Sequence, residues 1–120
     1  MDTKNINMDI SHEECKGKMR PILDTMEVLS GRWKMPILLS LIMGTKRFKQ
    51  ISKDVVGISD KVLSKELKDL EMNQLIQRDV YDTFPPTVEY SITPHGSSLQ
   101  NLIFELFTWG TKQRKKIIGK

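Results

Sequence analysis

Apolar residues recur at helical spacing through the first half of the chain. Pro21 stands where a helix can begin, and Gly31 stands where it can end. Between them Ile22, Met26 and Leu29 fall on one helical face, which predicts a first helix. The same reasoning predicts three further helices, over about residues 34–43, 47–54 and 60–72.

The fourth of these helices has the most regular pattern. Leu63, Leu67 and Leu70 follow the i, i+4, i+7 spacing of a single apolar stripe. Ser59 precedes the helix and is a good N-cap, because its hydroxyl can accept a hydrogen bond from the first turn. A turn that contains Gly57 separates this helix from the one before it. The pattern therefore predicts two short helices joined by a tight turn.

Further along, the period changes from helical to alternating, which predicts strands over residues 75–82 and 87–92. Two consecutive prolines in the connection between them lack N–H donors and favour a turn. Pro94 then stands at the first position of a last helix, predicted over about residues 94–112, and a basic tail follows.

The charge of the chain changes this picture because it is unevenly distributed. The net charge is +4, but residues 32–68 alone hold nine basic and three acidic residues, a balance of +6 that leaves −2 for the rest. A basic centre on a near-neutral body indicates a polyanionic partner, with a solvated lysine-rich surface as the alternative. The nine basic residues are Arg32, Lys34, Lys46, Arg47, Lys49, Lys53, Lys61, Lys65 and Lys68.

The fourth helix places part of this charge on one face. Lys61, Ser64, Lys65 and Lys68 are spaced at i, i+3, i+4 and i+7, opposite the leucine stripe. A helix held on one side and basic on the other fits the major groove of DNA, which is about 12 Å wide. Lysines would neutralise phosphates, while Ser59, Lys61, Ser64 or Lys65, near the start of the helix, could reach base edges. The predicted DNA-contacting residues are Lys46, Arg47, Lys49, Ser59, Lys61, Ser64, Lys65, Lys68, Arg78, Thr83 and Thr87.

The connection between the two strands gives a weaker indication of DNA contact. It lacks Lys and Arg and contains Asp82, and the nearest cation is Arg78 on the first strand. We therefore expect any contact at this tip to come from Thr83, Thr87 or backbone N–H groups.

The last helix carries more apolar surface than one core needs. Phe104 and Phe107 widen its apolar face well beyond the roughly 100° stripe of an ordinary surface helix. A homodimer formed through this helix explains the excess, and the alternative is that the first helix covers both of its faces. The predicted interface residues are Leu99, Leu102, Ile103, Phe104, Leu106, Phe107 and Trp109.

The order of helix, turn, helix and hairpin is that of a winged helix-turn-helix. We predict an α+β, mostly helical fold with a two-stranded β-hairpin wing and terminal dimerisation helices. The predicted organisation is a flexible N-terminal arm with a short helix around residues 10–16, a DNA-binding domain and a basic tail. These segments cover residues 1–18, 19–112 and 113–120.

Several short motifs also resemble the HxlR-type winged helix-turn-helix regulators, a MarR-like family, and the resemblance spans about residues 20–110. It implies a bacterial DNA-binding repressor or activator. It further implies a homodimer that is joined through its terminal helices and binds a roughly palindromic operator. Some members of this family sense electrophiles or oxidants through a cysteine. The motifs are Gly31-Arg32-Trp33, Ile37 to Leu39, Lys46-Arg47-Phe48, Ile58-Ser59, Lys61 to Leu63, Leu67, Leu70-Glu71, Val88 to Thr93, and Gly96.

The single cysteine departs from the family pattern. Members with a sensing cysteine usually place it directly before the proline of the first helix, a position that Arg20 occupies here, while Cys15 lies five residues upstream. The favoured interpretation of Cys15 is a free thiol, and redox sensing is the alternative. A small-molecule or oxidant effector is therefore a further prediction.

Composition argues against other classes of function. His12, His95 and one cysteine make neither a plausible zinc site nor a catalytic set, and a glycine-rich phosphate loop is absent, so we expect no enzyme activity, metal or cofactor. We see neither a signal peptide nor a membrane span and predict a cytoplasmic protein. Two alternatives remain: a winged-helix protein-interaction module without sequence-specific DNA binding, and a nonspecific nucleic-acid packaging protein.

Overall fold

The computed structural model describes residues 11–120, which form two units, one up to Ser30 and one from Gly31 to Lys120. The first unit contains helix α1. The second contains five helices and two strands. The elements in chain order are α1 (His12–Val28), α2 (Lys34–Ile42), α3 (Phe48–Asp54), α4 (Asp60–Met72), β1 (Ile76–Tyr81), β2 (Thr87–Ile92), α5 (Pro94–Ser97) and α6 (Gln100–Ile117).

Helix α1 corrects the prediction for the start of the chain, because it begins at His12 and not at Pro21. Ser11 is the N-cap, and its side chain accepts a hydrogen bond from the Glu14 N–H at 3.1 Å. Acidic residues in the first turn suit the positive end of the helix dipole. The short helix predicted around residues 10–16 is thus the beginning of α1, and residues 12–18 do not form a flexible arm. The remainder of that arm, residues 1–10, lies outside the described residues.

The core of the second unit lies between α2, α3, α4 and the hairpin. The leucine stripe predicted for α4 is fully buried, and Val55 and Ile58 close the turn that precedes this helix. Ser59 caps α4 as predicted, since its side chain accepts from the Val62 N–H at 3.2 Å. The largest fully buried side chains are Ile37, Leu38, Leu41, Ile51, Leu63, Leu67, Leu70 and Leu75.

The two strands pair antiparallel in the predicted positions, with Ile76 opposite Ile92 and Tyr81 opposite Thr87. An isolated bridge adds Lys46 to the sheet, because the backbones of Lys46 and Tyr90 exchange hydrogen bonds of 2.9 and 2.8 Å. The segment before α3 therefore runs beside β2 and ties the helix-turn-helix to the wing.

The end of α4 is fixed by a Schellman motif. The N–H of Leu75 donates to the carbonyl of Leu70 at 3.0 Å, and the N–H of Gln74 donates to that of Glu71 at 2.9 Å. Gln74 has a φ of 62°, the left-handed conformation that this position requires. The motif turns the chain directly from α4 into β1.

The predicted last helix is divided into α5 and α6, and it extends beyond the predicted end at residue 112 to Ile117. Thr93 caps α5, and the chain re-enters a helix at Gln100. The segment predicted as a basic tail continues as helix because Lys, Arg and Gln are good helix formers and cations suit the negative end of the dipole. Within residues 11–120, no helix is long and apolar enough to cross a membrane.

Candidate nucleic-acid interface

Helix α4 has two chemically different faces. Its inner face buries Leu63, Leu67 and Leu70, which are at most 2% exposed. Its outer face exposes Lys61, Ser64, Lys65 and Lys68, the four residues that the sequence placed there. A stable attachment on one side thus leaves a basic ridge free on the other.

A buried ion pair anchors the inner face. Lys34, at the start of α2, donates to Glu66 Oε1 at 2.5 Å, and both residues are buried. Asp69 Oδ2 lies 3.4 Å from both Lys34 Nζ and Lys65 Nζ. Burial alone would lower the pKa of Lys34, but the hydrogen bond and charge of Glu66, aided by Asp69, outweigh it and raise the pKa. The charged pair holds α4 against α2.

Helix α3 and its flanks carry three of the predicted contacts, and the structure treats them differently. Arg47 is exposed at the N-cap of α3. Lys49 is also exposed, and its Nζ lies 2.9 Å from Asp60 Oδ2 at the start of α4. Lys46 is turned inward, as its Nζ contacts Asp54 Oδ2 at 2.5 Å.

Lys46 belongs to a polar network inside the helix-turn-helix. Its Nζ also donates to the carbonyl of Ser40 at 2.8 Å, and the Ser40 hydroxyl donates to Asp54 at 2.7 Å. The hydrogen bond from Lys46, followed by that from Ser40, lowers the pKa of Asp54. The ammonium group of Lys46 therefore stabilises the fold and is not directed outward.

One cleft joins α4 to the hairpin and brings together residues that are distant in sequence. Ser64 and Lys68 line it from α4, and Arg78 lines it from β1. Glu71 and Tyr90 complete its polar wall. Arg78 thus extends the basic ridge of α4 onto the hairpin.

The side-chain hydroxyls of the wing are committed to each other. Thr83 Oγ1 donates to the carbonyl of Pro85 at 2.7 Å and also lies 2.8 Å from Thr87 Oγ1. Because the Thr83 hydrogen is already used, Thr87 is the donor in the second bond. In this arrangement neither hydroxyl has a hydrogen left for phosphate, in contrast to the prediction for Thr83 and Thr87.

Helix α6 exposes most of the residues predicted for a dimer interface. Phe107 and Trp109 are 71% and 64% exposed, and Leu102, Phe104 and Leu106 are between 41% and 46% exposed. Leu99 is half-buried.

Ile103 differs from its neighbours on α6, because it is buried in the core of its own chain. Ile103 also lines a groove between α2 and α6. The other residues that line this groove are Leu39, Phe104, Phe107 and Thr108. Phe104 and Phe107 are therefore accessible both on the surface of α6 and along this groove.

Other candidate chemistry is sparse. Cys15 is a half-buried free thiol on α1. Across residues 11–120, no group of three His, Cys, Asp or Glu residues is arranged to hold a metal ion.

Sequence reasoning missed the Lys34–Glu66 pair and the network around Asp54. A signal for the first was available, because Glu66 follows Leu63 at i+3 and so falls beside the leucine stripe. The role of Lys46 had no sequence signal, since its partners lie on α2 and α3.

Comparison with known proteins agrees with this geometry. A family model described as HxlR-like helix-turn-helix matches residues 28–117. The HTH-type transcriptional regulator YdeP of Bacillus subtilis is 34% identical over 117 residues, which cover 98% of this chain and 90% of that protein.

Solved structures give the same result. The reduced form of the redox regulator HypR superposes with a TM-score of 0.77 at 31% identity, covering 83% of this chain and 99% of that chain. A MarR-family transcriptional regulator from Enterococcus faecalis has a TM-score of 0.71 at 27% identity, covering 97% of this chain and all of that chain.

These matches confirm the predicted winged-helix fold, the family resemblance and DNA-binding regulation without enzyme activity. The chain belongs to the HxlR-like helix-turn-helix family.

Proposed function

We propose that this regulator binds an inverted-repeat DNA operator as a homodimer, with α4 of each protomer in the major groove of one half-site. The observation that carries the proposal is the contrast between the buried apolar face of α4 and its exposed basic face. Leucines and the Lys34–Glu66 pair fix the helix on the inside, while three lysines and Ser64 remain exposed on the outside. A rigid helix with a basic outer face can read base edges without losing its position.

Individual residues take different parts in this proposal. Lys65 and Lys68 neutralise phosphates, together with Arg78 across the cleft from Lys68. Lys61 and Ser64 face the base edges near the start of the helix. Arg47 and Lys49 flank it from α3. Ser59 retains its hydroxyl hydrogen for DNA, because its oxygen only accepts from Val62. Such a function requires access to the genome and hence a cytoplasmic location.

Dimerisation through α6 supplies the two-fold symmetry. Five large apolar residues of this helix, from Leu102 to Trp109, are exposed, and their burial against a second copy would be favourable. Two recognition helices related by this symmetry would meet half-sites about 34 Å, or a multiple of this distance, apart.

Selection of bound duplexes from a random DNA pool at about 150 mM salt tests the function. We expect an enriched inverted repeat with half-sites about one helical turn apart. Enrichment of no sequence, with binding lost as salt rises, would instead support nonspecific packaging. Absence of duplex binding under all conditions would favour the protein-interaction module.

Two lysine variants test the role of α4. Lys65→Ala should weaken operator binding and reduce the slope of log K against log salt by about 0.9, the value for one phosphate contact. Lys61→Ala should weaken operator binding and relax the sequence preference, because Lys61 faces the base edges in this proposal. Lys116→Ala is the matched control, since it removes an exposed positive charge from the end of α6. Unchanged binding in both α4 variants would remove this helix from the proposed reading role.

One substitution on α6 tests the dimer. Phe104→Glu should shift the chain toward the monomer mass in light scattering, because a carboxylate would be buried at the interface. Glu105→Gln at the neighbouring exposed position is the control. A retained dimer mass in Phe104→Glu would contradict the proposed interface.

Control by an oxidant through Cys15 stays a prediction. HypR is described as a redox regulator, and Cys15 is a free thiol in the described part of this chain. If Cys15 is the sensor, diamide should change operator binding by the wild type and not by Cys15→Ser. Equal responses in the two proteins would leave Cys15 as a thiol without a regulatory role.

A further inference from the structure

The wing tip, residues 82–86, presents an apolar side chain at its apex. Phe84 has a relative exposure of 102%, the highest of the large apolar residues described. An exposed phenyl ring costs solvation free energy, and the ring of Phe84 is not covered by any part of residues 11–120. Its position at the end of the wing leaves the ring available to a partner.

The side chains of the tip provide no cation for phosphate. The tip contains no Lys or Arg, and Asp82 carries the charge that phosphate repels. Pro85 and Pro86 lack N–H donors, and the hydroxyl hydrogens of Thr83 and Thr87 are used within the hairpin. Besides backbone N–H groups, the tip therefore offers a partner the ring of Phe84, on a turn held by the hydrogen bonds of Thr83.

The wing leads from the recognition cleft to this ring. Arg78 on β1 lines the same cleft as Ser64 and Lys68 of α4. Phe84 lies six residues further along the chain, within about 20 Å at roughly 3.3 Å per residue. Neighbouring major and minor grooves are separated by about half of the 34 Å helical turn. With α4 in the major groove, the tip is thus within reach of the adjacent minor groove.

We propose that Phe84 enters this minor groove and wedges against a base-pair step as an apolar specificity residue. The inference rests on the proposed function, since it requires α4 to occupy the major groove. Apolar side chains inserted from the minor groove partly unstack a step and bend the duplex. Such insertion favours the flexible TA and CA/TG steps, so Phe84 would add sequence preference outside the bases that α4 contacts.

The experiment compares the wild type with Phe84→Ala in duplex selection and in binding to the selected operator at several salt concentrations. Phe84→Leu tests whether another apolar wedge restores binding. Met43→Ala is the matched control, because Met43 is a large exposed side chain on a different part of the fold. An operator with 2-aminopurine at the flanking step reports unstacking directly. Circular dichroism checks that the variants remain folded.

We expect Phe84→Ala to bind the operator about tenfold more weakly, a difference of about 1.4 kcal/mol. The salt slope should stay unchanged, because an apolar wedge releases no counterions, whereas Lys65→Ala lowers it. The flanking-step preference and the 2-aminopurine signal should be lost in Phe84→Ala and largely retained in Phe84→Leu and Met43→Ala.

Three results would overturn the inference. The wild type selects an operator, and Phe84→Ala binds this operator with the same affinity and the same flanking-step preference: in that case the wedge is wrong and the proposed function stands. Loss of transcriptional control with intact DNA binding would indicate that Phe84 contacts a protein instead. If the wild type selects no operator, the proposed function fails, and the wedge fails with it.

Discussion

Helices α4 and α6 are both amphipathic, but they differ in how far their apolar residues are buried. Helix α4 buries its leucine stripe within its own chain and exposes lysines. Helix α6 buries Ile103 and leaves large aromatic and aliphatic side chains in solvent. Within the described residues, α4 thus presents positive charge to solvent, whereas α6 presents apolar surface.

This difference indicates that the two helices suit different partners. In the proposed function, nucleic acid supplies the negative charge that complements α4, and a second copy of the chain supplies the apolar surface that complements α6. Substitutions on the buried face of α4 should thus alter stability, and those on its exposed face should alter DNA binding. Substitutions on α6 should alter stability to an extent that depends on protein concentration.

The largest effect is expected at the ion pair behind α4. Lys34→Met leaves Glu66 buried without its partner and should reduce the free energy of unfolding by about 3–5 kcal/mol. Urea denaturation measures this change. The double variant Lys34→Met/Glu66→Met is the control and should recover most of the loss, because it removes both charges. A single variant as stable as the wild type would show that the pair does not anchor α4.

A pair of leucine substitutions compares the two helices directly. Leu63→Ala on α4 should reduce stability by about 2–5 kcal/mol at every protein concentration, because it opens a cavity in the core. Leu106→Ala on α6, where the side chain is 46% exposed, should lower the melting temperature only at concentrations that populate the dimer. Melting curves over a hundredfold concentration range measure both. Identical concentration dependence in the two variants would remove the distinction between the helices.

Acid should weaken the helix-turn-helix through Asp54 and Asp69. The hydrogen bond from Lys46 lowers the pKa of Asp54, and for Asp69 the partners Lys65 and Lys34 outweigh burial and lower the pKa as well. Their contribution is therefore complete above the ordinary aspartate value of 3.8 and is lost as the pH falls through the lower values of the folded state.

Denaturation measured between pH 5 and 2 tests this expectation. Asp54→Asn should show a smaller loss of stability over this range than the wild type. Glu105→Gln on α6 is the control for removal of one exposed carboxylate. An acid response of Asp54→Asn equal to that of the wild type would contradict the assignment.

The smallest effect is expected where α4 ends. Gln74→Gly should raise the free energy of unfolding by about 0.5–1 kcal/mol, because glycine adopts the left-handed conformation without the steric cost that Gln74 carries. Thermal denaturation measures the gain, and Gln77→Gly in β1 is a control that should destabilise. A loss of stability in Gln74→Gly would show that the glutamine side chain contributes more than its backbone costs.

The sequence predicted the helix-turn-helix more accurately than the two ends of the chain. Ser59 and the stripe from Leu63 to Leu70 are local signals, and they fixed the start and the buried face of α4. The start of α1 was wrong because Pro21 was given more weight than the cap formed by Ser11. The extent of α6 was wrong because a basic composition was read as a tail, although it is compatible with helix.

The candidate site shows the same limit. Exposure of Lys61, Ser64, Lys65 and Lys68 follows from helical periodicity and was predictable. The inward orientation of Lys46 was not predictable, because its ammonium group contacts Asp54 and Ser40 only after the chain has folded. A positive charge in a sequence does not reveal whether its partner is internal or external.

The sequence by itself determined which residues share a face, because the helical and strand periods are properties of the local backbone. It thereby specified the leucine stripe, the basic ridge and the apolar excess of α6. Only the tertiary structure decided how those faces are used, by joining Lys34 to Glu66, bringing Arg78 beside Lys68 and leaving Phe84 alone at the wing tip. These contacts link residues from different elements, so their geometry arises from packing and not from any local pattern.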